Sequence, residues 1–316
     1  MTYVFINDIV VLKTSKFHDW RDSVACNICP RECGVDRASG QLGFCRAPEL
    51  YAVAKLMIYK WEEPCIGGEN GAGTVFFSGC NLRCVYCQNI DISRGDKGEI
   101  MTDGELEKAI FALVEDGAEC VEFVTPTHYT DKLAELLSRI KPKLNIPVVW
   151  NSGGYEKVES LRKLEGLVDV YLPDFKYFDG EIARSYSAAP DYLEVATAAL
   201  GEMLRQVGKP QIGGSGKLRR GVLVRHLVLP SHRNDSISVL RHIADKFGSE
   251  SILISLMSQY TPDFYVGSAC VEHKNLCRRL TKFEYDSVMK VADELGFEGY
   301  FQGFASANKQ YTPEFK

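Results

Sequence analysis

No run in the 316-residue chain approaches the roughly 20 consecutive apolar residues that a membrane-spanning helix needs, so a helical membrane protein is excluded. Positive charge is not in excess either. The net charge of −5 gives no electrostatic reason to expect a nucleic-acid or membrane-surface partner, and neither is expected. The first twenty residues, MTYVFINDIVVLKTSKFHDW, hold an apolar run, but Asp8 interrupts it. They lack a basic leader and a small-residue cleavage site, so no signal peptide is read and a cytoplasmic location is expected. Internal repeats and low-complexity stretches are absent too. With 45% hydrophobic and 25% charged residues, the composition is that of an ordinary globular chain able to bury a sizeable core.

What the chain does have is cysteine. It holds eleven, eight of them between residues 26 and 87. In a reducing compartment disulfides are not expected, and such clustering points to metal or iron–sulfur ligation.

Residues 1–72 are rich in Cys, Gly and turns, with CNICPRECGVDRASGQLGFC at 26–45 and the apolar run YAVAKLMIY at 51–59. The connector GGENGAG (67–73) is expected to be a boundary or a hairpin. From residue 73 onward, short β-rich runs alternate with amphipathic segments. Strands are expected at 74–78, 120–125, 146–150, 168–173, 222–229 and 251–257, and helices at 103–116, 131–141, 155–165, 190–207, 235–247 and 281–295. GKPQIGGSGKLRR (208–220) reads as a polar loop. The βα alternation and continuous apolar strands indicate an α/β chain with a parallel sheet buried on both faces. A partial (β/α)6 barrel and a doubly wound sheet both fit the pattern.

FFSGCNLRCVYCQN (76–89) follows the first of these strands and spaces Cys80, Cys84 and Cys87 as C-x3-C-x2-C. A four-iron cluster takes four ligands, usually thiolates. Three thiolates on one loop would hold three irons and leave the fourth open to a small molecule. A structural zinc loop or three inert thiols are the alternatives, although no fourth zinc ligand is evident in the next twenty residues.

Sites in parallel α/β folds gather at the C-terminal ends of strands. Here those ends carry Thr125-Pro126-Thr127-His128, Asn151-Ser152-Gly153, Asp174-Phe175-Lys176, Arg225-His226 and Ser258-Gln259-Tyr260. Each has an ordinary reading: Asp174 and Lys176 as a surface ion pair, His128 as a helix cap or core histidine, Asn151-Ser152 as a turn. Arg225 inside an apolar strand is harder to dismiss, because a buried guanidinium requires a partner, and a carboxylate of cofactor or substrate would serve.

The loop resembles the signature of the radical S-adenosylmethionine (SAM) superfamily. There the open iron of a [4Fe–4S] cluster chelates SAM, which is cleaved to a 5′-deoxyadenosyl radical that abstracts hydrogen. The resemblance implies a partial (β/α)6 radical SAM barrel with a Cys-rich N-terminal extension, Cys80, Cys84 and Cys87 as cluster ligands, and Tyr86 near the adenine. Asp174-Phe175-Lys176 is similar to the Asp-x-Lys motif with which glycyl-radical-enzyme activases contact SAM, and Arg225 in VRHLVLP to their arginine-bearing strand. Those activases carry Gly-Gly-Glu-Pro where this chain has Thr125-Pro126-Thr127-His128. The usual Glu contact is therefore absent, and the backbone there would receive the SAM amino group. Over 26–262 the chain resembles the subfamily labelled PflX-like, or pyruvate formate-lyase activating enzyme-like. This implies cofactor contacts from Tyr86, Thr125, Pro126, Thr127, Asn151, Ser152, Asp174, Lys176 and Arg225, catalytic roles for Arg225 and His128, and a low-potential electron donor such as flavodoxin or ferredoxin. Abstraction from a glycine of a partner glycyl radical enzyme is the expected activity. A small-molecule or peptide substrate, or a non-catalytic iron–sulfur or zinc module, remain as alternatives.

Cys26, Cys29, Cys33 and Cys45, spaced C-x2-C-x3-C-x11-C, form a complete four-thiolate set for zinc or a second iron–sulfur cluster. Cys270, His273 and Cys277 offer only three ligands, too few for a closed zinc site.

Overall fold

The computed structural model describes residues 2–6, 9–13, 25–262, 272–303, 313 and 315. A short antiparallel hairpin, β1 (Thr2–Ile6) and β2 (Ile9–Lys13), stands outside the main sheet. The main sheet contains β3 (Tyr51–Tyr59), β4 (Ala72–Phe77), β5 (Glu99–Met101), β6 (Val121–Val124), β7 (Val148–Ser152), β8 (Val170–Pro173), β9 (Gln211–Ile212), β10 (Leu218–Leu227), β11 (Leu253–Met257) and β12 (Gly299–Phe301).

Strands β4, β6, β7, β8, β10, β11 and β12 are parallel and stand side by side in chain order. A doubly wound sheet must reverse that order at a switch point. None occurs, so the sheet winds in one direction as a partial barrel. It does not close: β5 and β12 form its two edges, with β3 antiparallel between β5 and β4. All six expected strands are present. The seventh parallel strand, β12, was not expected, and β9 turns part of the expected 208–220 loop into a hairpin arm against β10. The expected division at residue 72 falls between β3 and β4, which pair along most of their length.

The described α-helices are α1 (Pro64–Gly67), α2 (Ile90–Ser93), α3 (Asp103–Glu115), α4 (Thr130–Ile140), α5 (Val158–Arg162), α6 (Gly180–Ser187), α7 (Tyr192–Val207), α8 (Arg233–Phe247) and α9 (Lys282–Glu294), with α5 shorter than expected and α1, α2 and α6 unforeseen. Capping boxes start α3 at Thr102–Glu105 and α9 at Thr281–Glu284.

Side-chain alternation along each strand divides the residues between two cores. Val75, Phe77, Phe123, Trp150, Tyr171 and Val224 belong to the large outer core with the helices. Trp150 has no exposed surface, and burying an indole of that size contributes roughly 4–6 kcal/mol before entropy. The alternate positions give a smaller inner core, Ala72, Cys120, Val149, Val170, Leu172 and Leu223, joined by Cys65 and Ile66 of α1. Helix α1 thus packs against the lower inner face and leaves the upper part for polar side chains.

Candidate active site

Strand β4 delivers the chain into the cysteine loop through Gly79. Its φ of +86° is left-handed, and a Cβ there would stand 2.4 Å from the Cys45 carbonyl oxygen, so the turn admits only glycine. Within the loop, the Leu82 N–H donates to Cys80 Sγ (3.4 Å) and the Cys87 N–H to the Cys84 carbonyl (3.2 Å). Arg31 binds the loop to α6, donating from Nε to the Asn81 carbonyl (2.7 Å) and from Nη2 to the Ser187 carbonyl (2.8 Å). A Gly79→Ala protein is expected to lose at least about 2 kcal/mol of stability from the forced conformation and the clash, and to retain less iron. Urea unfolding and iron assay check this; parental values for both would show that Cys45 does not press on this turn.

The three sulfurs open onto a cavity of about 670 Å³ inside the curved sheet, within the size range of small-molecule and cofactor sites. No fourth thiol lines it among the described residues. Tyr86 also lines it, and its O–H starts a chain of hydrogen bonds. Tyr86 donates to Tyr177 Oη (2.7 Å), Tyr177 to Ser187 Oγ (2.7 Å) and Ser187 to Cys84 Sγ (2.9 Å), an order fixed by the last acceptor. The aromatic residue of the loop is thereby tied to one of the loop's own sulfurs.

The opposite wall comes from the ends of β6, β7, β8, β10 and β11: Thr125, Asn151, Ser152, Asp174, Lys176, Arg225 and Gln259. Thr125 is held at φ +57°, a sparsely populated conformation for a β-branched residue and the kind of strain found at ligand sites. Lys176 Nζ donates to Asp174 Oδ2 (2.5 Å). Arg225 spreads its fork over three acceptors: Asp174 Oδ1 (3.2 Å), Asn151 Oδ1 (2.6 Å) and Glu62 Oε1 (3.5 Å). Asn151 in turn donates to Glu122 Oε1 (2.6 Å), and Thr74 to Glu122 Oε2 (2.9 Å).

Electrostatics follow from this packing. Burial works to raise the Asp174 carboxyl, but the Lys176 and Arg225 cations outweigh it and hold it below the usual carboxylate range. Burial likewise opposes the Lys176 charge, and Asp174 overcomes it, keeping the ammonium protonated. Glu122 lacks such a cation at contact distance. Burial first, and then the Glu62 carboxylate, push its carboxyl well above the ordinary value.

Asn151, Ser152, Asp174, Lys176, Arg225, Tyr86 and Thr125 therefore meet at one cavity with Cys80, Cys84 and Cys87. Pro126, Thr127 and His128 do not line it. The chain turns into a short 3-10 helix at Thr127–Tyr129 and folds these residues into the wall. Thr127 donates to buried Glu156 (3.2 Å). The His128 ring is fully buried against Phe77 and Tyr129, and burial lowers it to about 3, so it is neutral and lies outside the cavity lining. The catalytic role expected for His128 has no support in this placement.

Sequence reasoning missed the carboxylates. Glu62 and Glu63, between β3 and α1, line the cavity, and Glu63 accepts from Ser255 Oγ (2.5 Å). Glu122 sat unnoticed in CVEFVT, although a charge inside an apolar strand is the same signal that singled out Arg225. Cys270 lies outside the described residues. Cys277 is disulfide-bonded, contrary to the expectation that disulfides are absent.

Among the described residues no three His, Cys, Asp or Glu side chains close on a point that would hold one ion, and no helix is long and apolar enough to cross a membrane. The chain is similar to two uncharacterized proteins of Methanocaldococcus jannaschii. MJ0674 is 29% identical, with 86% of this chain and 75% of that protein covered, and MJ0808 is 25% identical, with 91% and 87% covered. Among solved structures it is similar to a radical SAM methyltransferase from Sphaerobacter thermophilus (12% identity, TM-score 0.49, covering 74% of this chain and 69% of that one). It is also similar to a domain of pyruvate-formate lyase-activating enzyme from Bacteroides vulgatus (11% identity, TM-score 0.43, covering 58% and 98%). The Radical SAM superfamily model matches residues 74–213, from β4 through the cysteine loop to β9. The chain thus carries a radical SAM domain, of the family that works with a [4Fe–4S] cluster and S-adenosylmethionine.

Proposed function

We propose that this radical SAM enzyme draws hydrogen from a glycine Cα of a partner protein, in the manner of a glycyl-radical-enzyme activase. The observation that carries the reading is the convergence of three loop thiols and an Asp174–Lys176–Arg225 ion network on one cavity. When bound, the reduced cluster and SAM supply the electron and the 5′-deoxyadenosyl radical that abstracts the hydrogen. The donor set fits: three sulfurs face the cavity and no fourth thiol does, among the described residues.

The chain's own groups have separate tasks. Cys80, Cys84 and Cys87 would ligate the cluster. Asp174 would orient the ammonium end of SAM, and Lys176 and Arg225 its carboxylate, through charge-assisted hydrogen bonds. Tyr86, fixed by Tyr177, would bound the adenine. The cavity walls exclude water from a reactive radical. One electron per turnover would come from a low-potential protein of the flavodoxin or ferredoxin class.

The test is anaerobic reconstitution with iron and sulfide, then addition of dithionite and SAM. Release of 5′-deoxyadenosine is expected, with a glycyl radical signal by electron spin resonance when a glycyl radical enzyme is added. An intact cluster without 5′-deoxyadenosine would refute the enzyme reading. A second reading is favoured by the acidic floor at Glu62 and Glu63: a small substrate bearing amino or hydroxyl groups. Under that reading 5′-deoxyadenosine forms, but no candidate partner protein acquires a radical.

A further inference from the structure

We propose that Ser187, at the end of α6, sets the reduction potential of the cluster by donating its hydroxyl proton to the Cys84 sulfur. The proposal rests on the reading of Cys80, Cys84 and Cys87 as cluster ligands. Ser187 Oγ stands 2.9 Å from Cys84 Sγ, within hydrogen-bond distance. Both residues are buried. In such an enclosed setting an O–H dipole acts on a neighbouring charge more strongly than it does in water.

The hydroxyl does not take the partner that a helix offers it. A serine in a helix commonly bonds back to the carbonyl four residues earlier. For Ser187 that is Ala183, whose carbonyl accepts from the Ala189 N–H (3.3 Å). The Ser187 side chain turns to the sulfur instead, and the backbone around it is held so that it can. Helix α6 ends on Ala188 in the left-handed region, at φ +49°, where a glycine would be usual. Arg31 donates to the Ser187 and Ala188 carbonyls at this end and to the Asn81 carbonyl in the cysteine loop. The Val85 N–H donates to the Tyr186 carbonyl (2.9 Å). These bonds fix the helix end against the loop, and with it the distance from hydroxyl to sulfur.

The direction of the bond follows from counting protons. A ligating thiolate has none to give, so Ser187 donates to it and accepts from Tyr177 (2.7 Å), which accepts from Tyr86 (2.7 Å). Each bond in the row polarises the next towards the sulfur. The other two loop sulfurs are served by the backbone: Cys80 by the Leu82 N–H (3.4 Å) and Cys87 by the Asn89 N–H. Those donors come with the loop's conformation, whereas at Cys84 the donor is a side chain that one substitution removes. One electron taken from a low-potential donor protein adds negative charge to the ligand sulfurs. A hydrogen bond to sulfur stabilises that reduced form and raises the potential.

The test is a redox titration of the anaerobically reconstituted protein, followed by electron spin resonance and read beside iron content and urea unfolding. Ser187→Ala is expected to keep the parental iron content. Its reduction equilibrium should be about tenfold less favourable, a potential about 59 mV lower for one electron. Ser187→Thr keeps a hydroxyl and should return the potential towards the parental value. Tyr177 does not line the cavity, and Tyr177→Phe should shift the equilibrium in the same direction by about twofold, because the bond to sulfur loses its polarising partner. A merely structural role for Ser187 would change iron content or unfolding and leave the potential of the loaded protein unmoved. An unchanged potential in Ser187→Ala, with the cluster present, overturns the proposal and leaves the ligand reading standing. Should Ser187→Ala retain no iron, Tyr177→Phe decides, and a parental potential there overturns the proposal. A parent protein that shows no iron–sulfur signal overturns both readings together.

Discussion

A Cys84→Ala protein, reconstituted anaerobically, is expected to release 5′-deoxyadenosine more than a hundredfold more slowly than the parent, beyond the roughly 10–100-fold losses seen when only an outer hydrogen-bond partner of a metal ligand is removed. Cys84 is the most enclosed of the three loop cysteines at 6% exposure, and Ser187 Oγ already donates to its sulfur. Alanine removes both the ligand and the end of the hydrogen-bond chain that begins at Tyr86. Burial alone does not produce this effect, and Cys120 provides the comparison. It is 2% exposed in the inner core, packed with Val149 and Leu172, and does not line the cavity. Cys120→Ala should cost about 1 kcal/mol of stability and leave turnover near the parental rate. Chromatographic assay of 5′-deoxyadenosine, beside urea unfolding of both variants, separates the cases. Parental turnover in Cys84→Ala would remove this sulfur from the cluster.

The fold was legible where both faces of a strand are apolar. β4, β6, β7 and β8 are buried throughout, and their sequences are mostly apolar, broken only by Thr74, Glu122, Asn151 and Ser152. β12 was not legible, because three residues leave no period to detect. Its first residue, Gly299, has φ +149° and lies so close to Ile254 that any side chain would collide with that backbone. Its strand character comes from pairing with β11 alone. Winding direction was also hidden, since strand order is a property of contacts. In the site, the strand-end rule located Asp174, Lys176 and Asn151, and Arg225 stood out as a charge inside an apolar strand. The rule failed at His128, where the 3-10 turn after Pro126 buries the ring against Phe77 and Tyr129. Glu62 and Glu63 gave no local signal at all. Their role depends on α1 packing against the lower inner face of the sheet, a long-range event that adjacent residues do not encode.

The polar layer inside the sheet yields two substitutions with opposite signs. Arg225 keeps 18% of its side-chain surface, facing the cavity, and is the cation shared by Asp174 and Glu62. Arg225→Met leaves Glu62 and Asn151 Oδ1 without the guanidinium donor and Asp174 with Lys176 as its remaining cation. Breaking one partner out of such an enclosed set typically costs about 3–5 kcal/mol. Arg225→Lys restores the charge but not the fork, and should weaken SAM binding by about 10–100-fold while recovering most of the stability. Glu122→Gln should do the reverse and stabilise. In the folded protein, burial and then Glu62 raise the Glu122 carboxyl, so the native state holds a proton that the unfolded chain releases above about pH 4.5. The native state then binds more protons than the unfolded one, and stability must fall as pH rises, by up to about 1.4 kcal/mol per pH unit while the carboxyl stays protonated. Glutamine offers the same shape without that dependence. The gain of Glu122→Gln over the parent should therefore be small near pH 5 and grow steadily towards pH 8 in urea titrations. A gain that does not change with pH would mean that Glu122 is ionised in the native state, with its charge neutralised by Arg225 across Asn151.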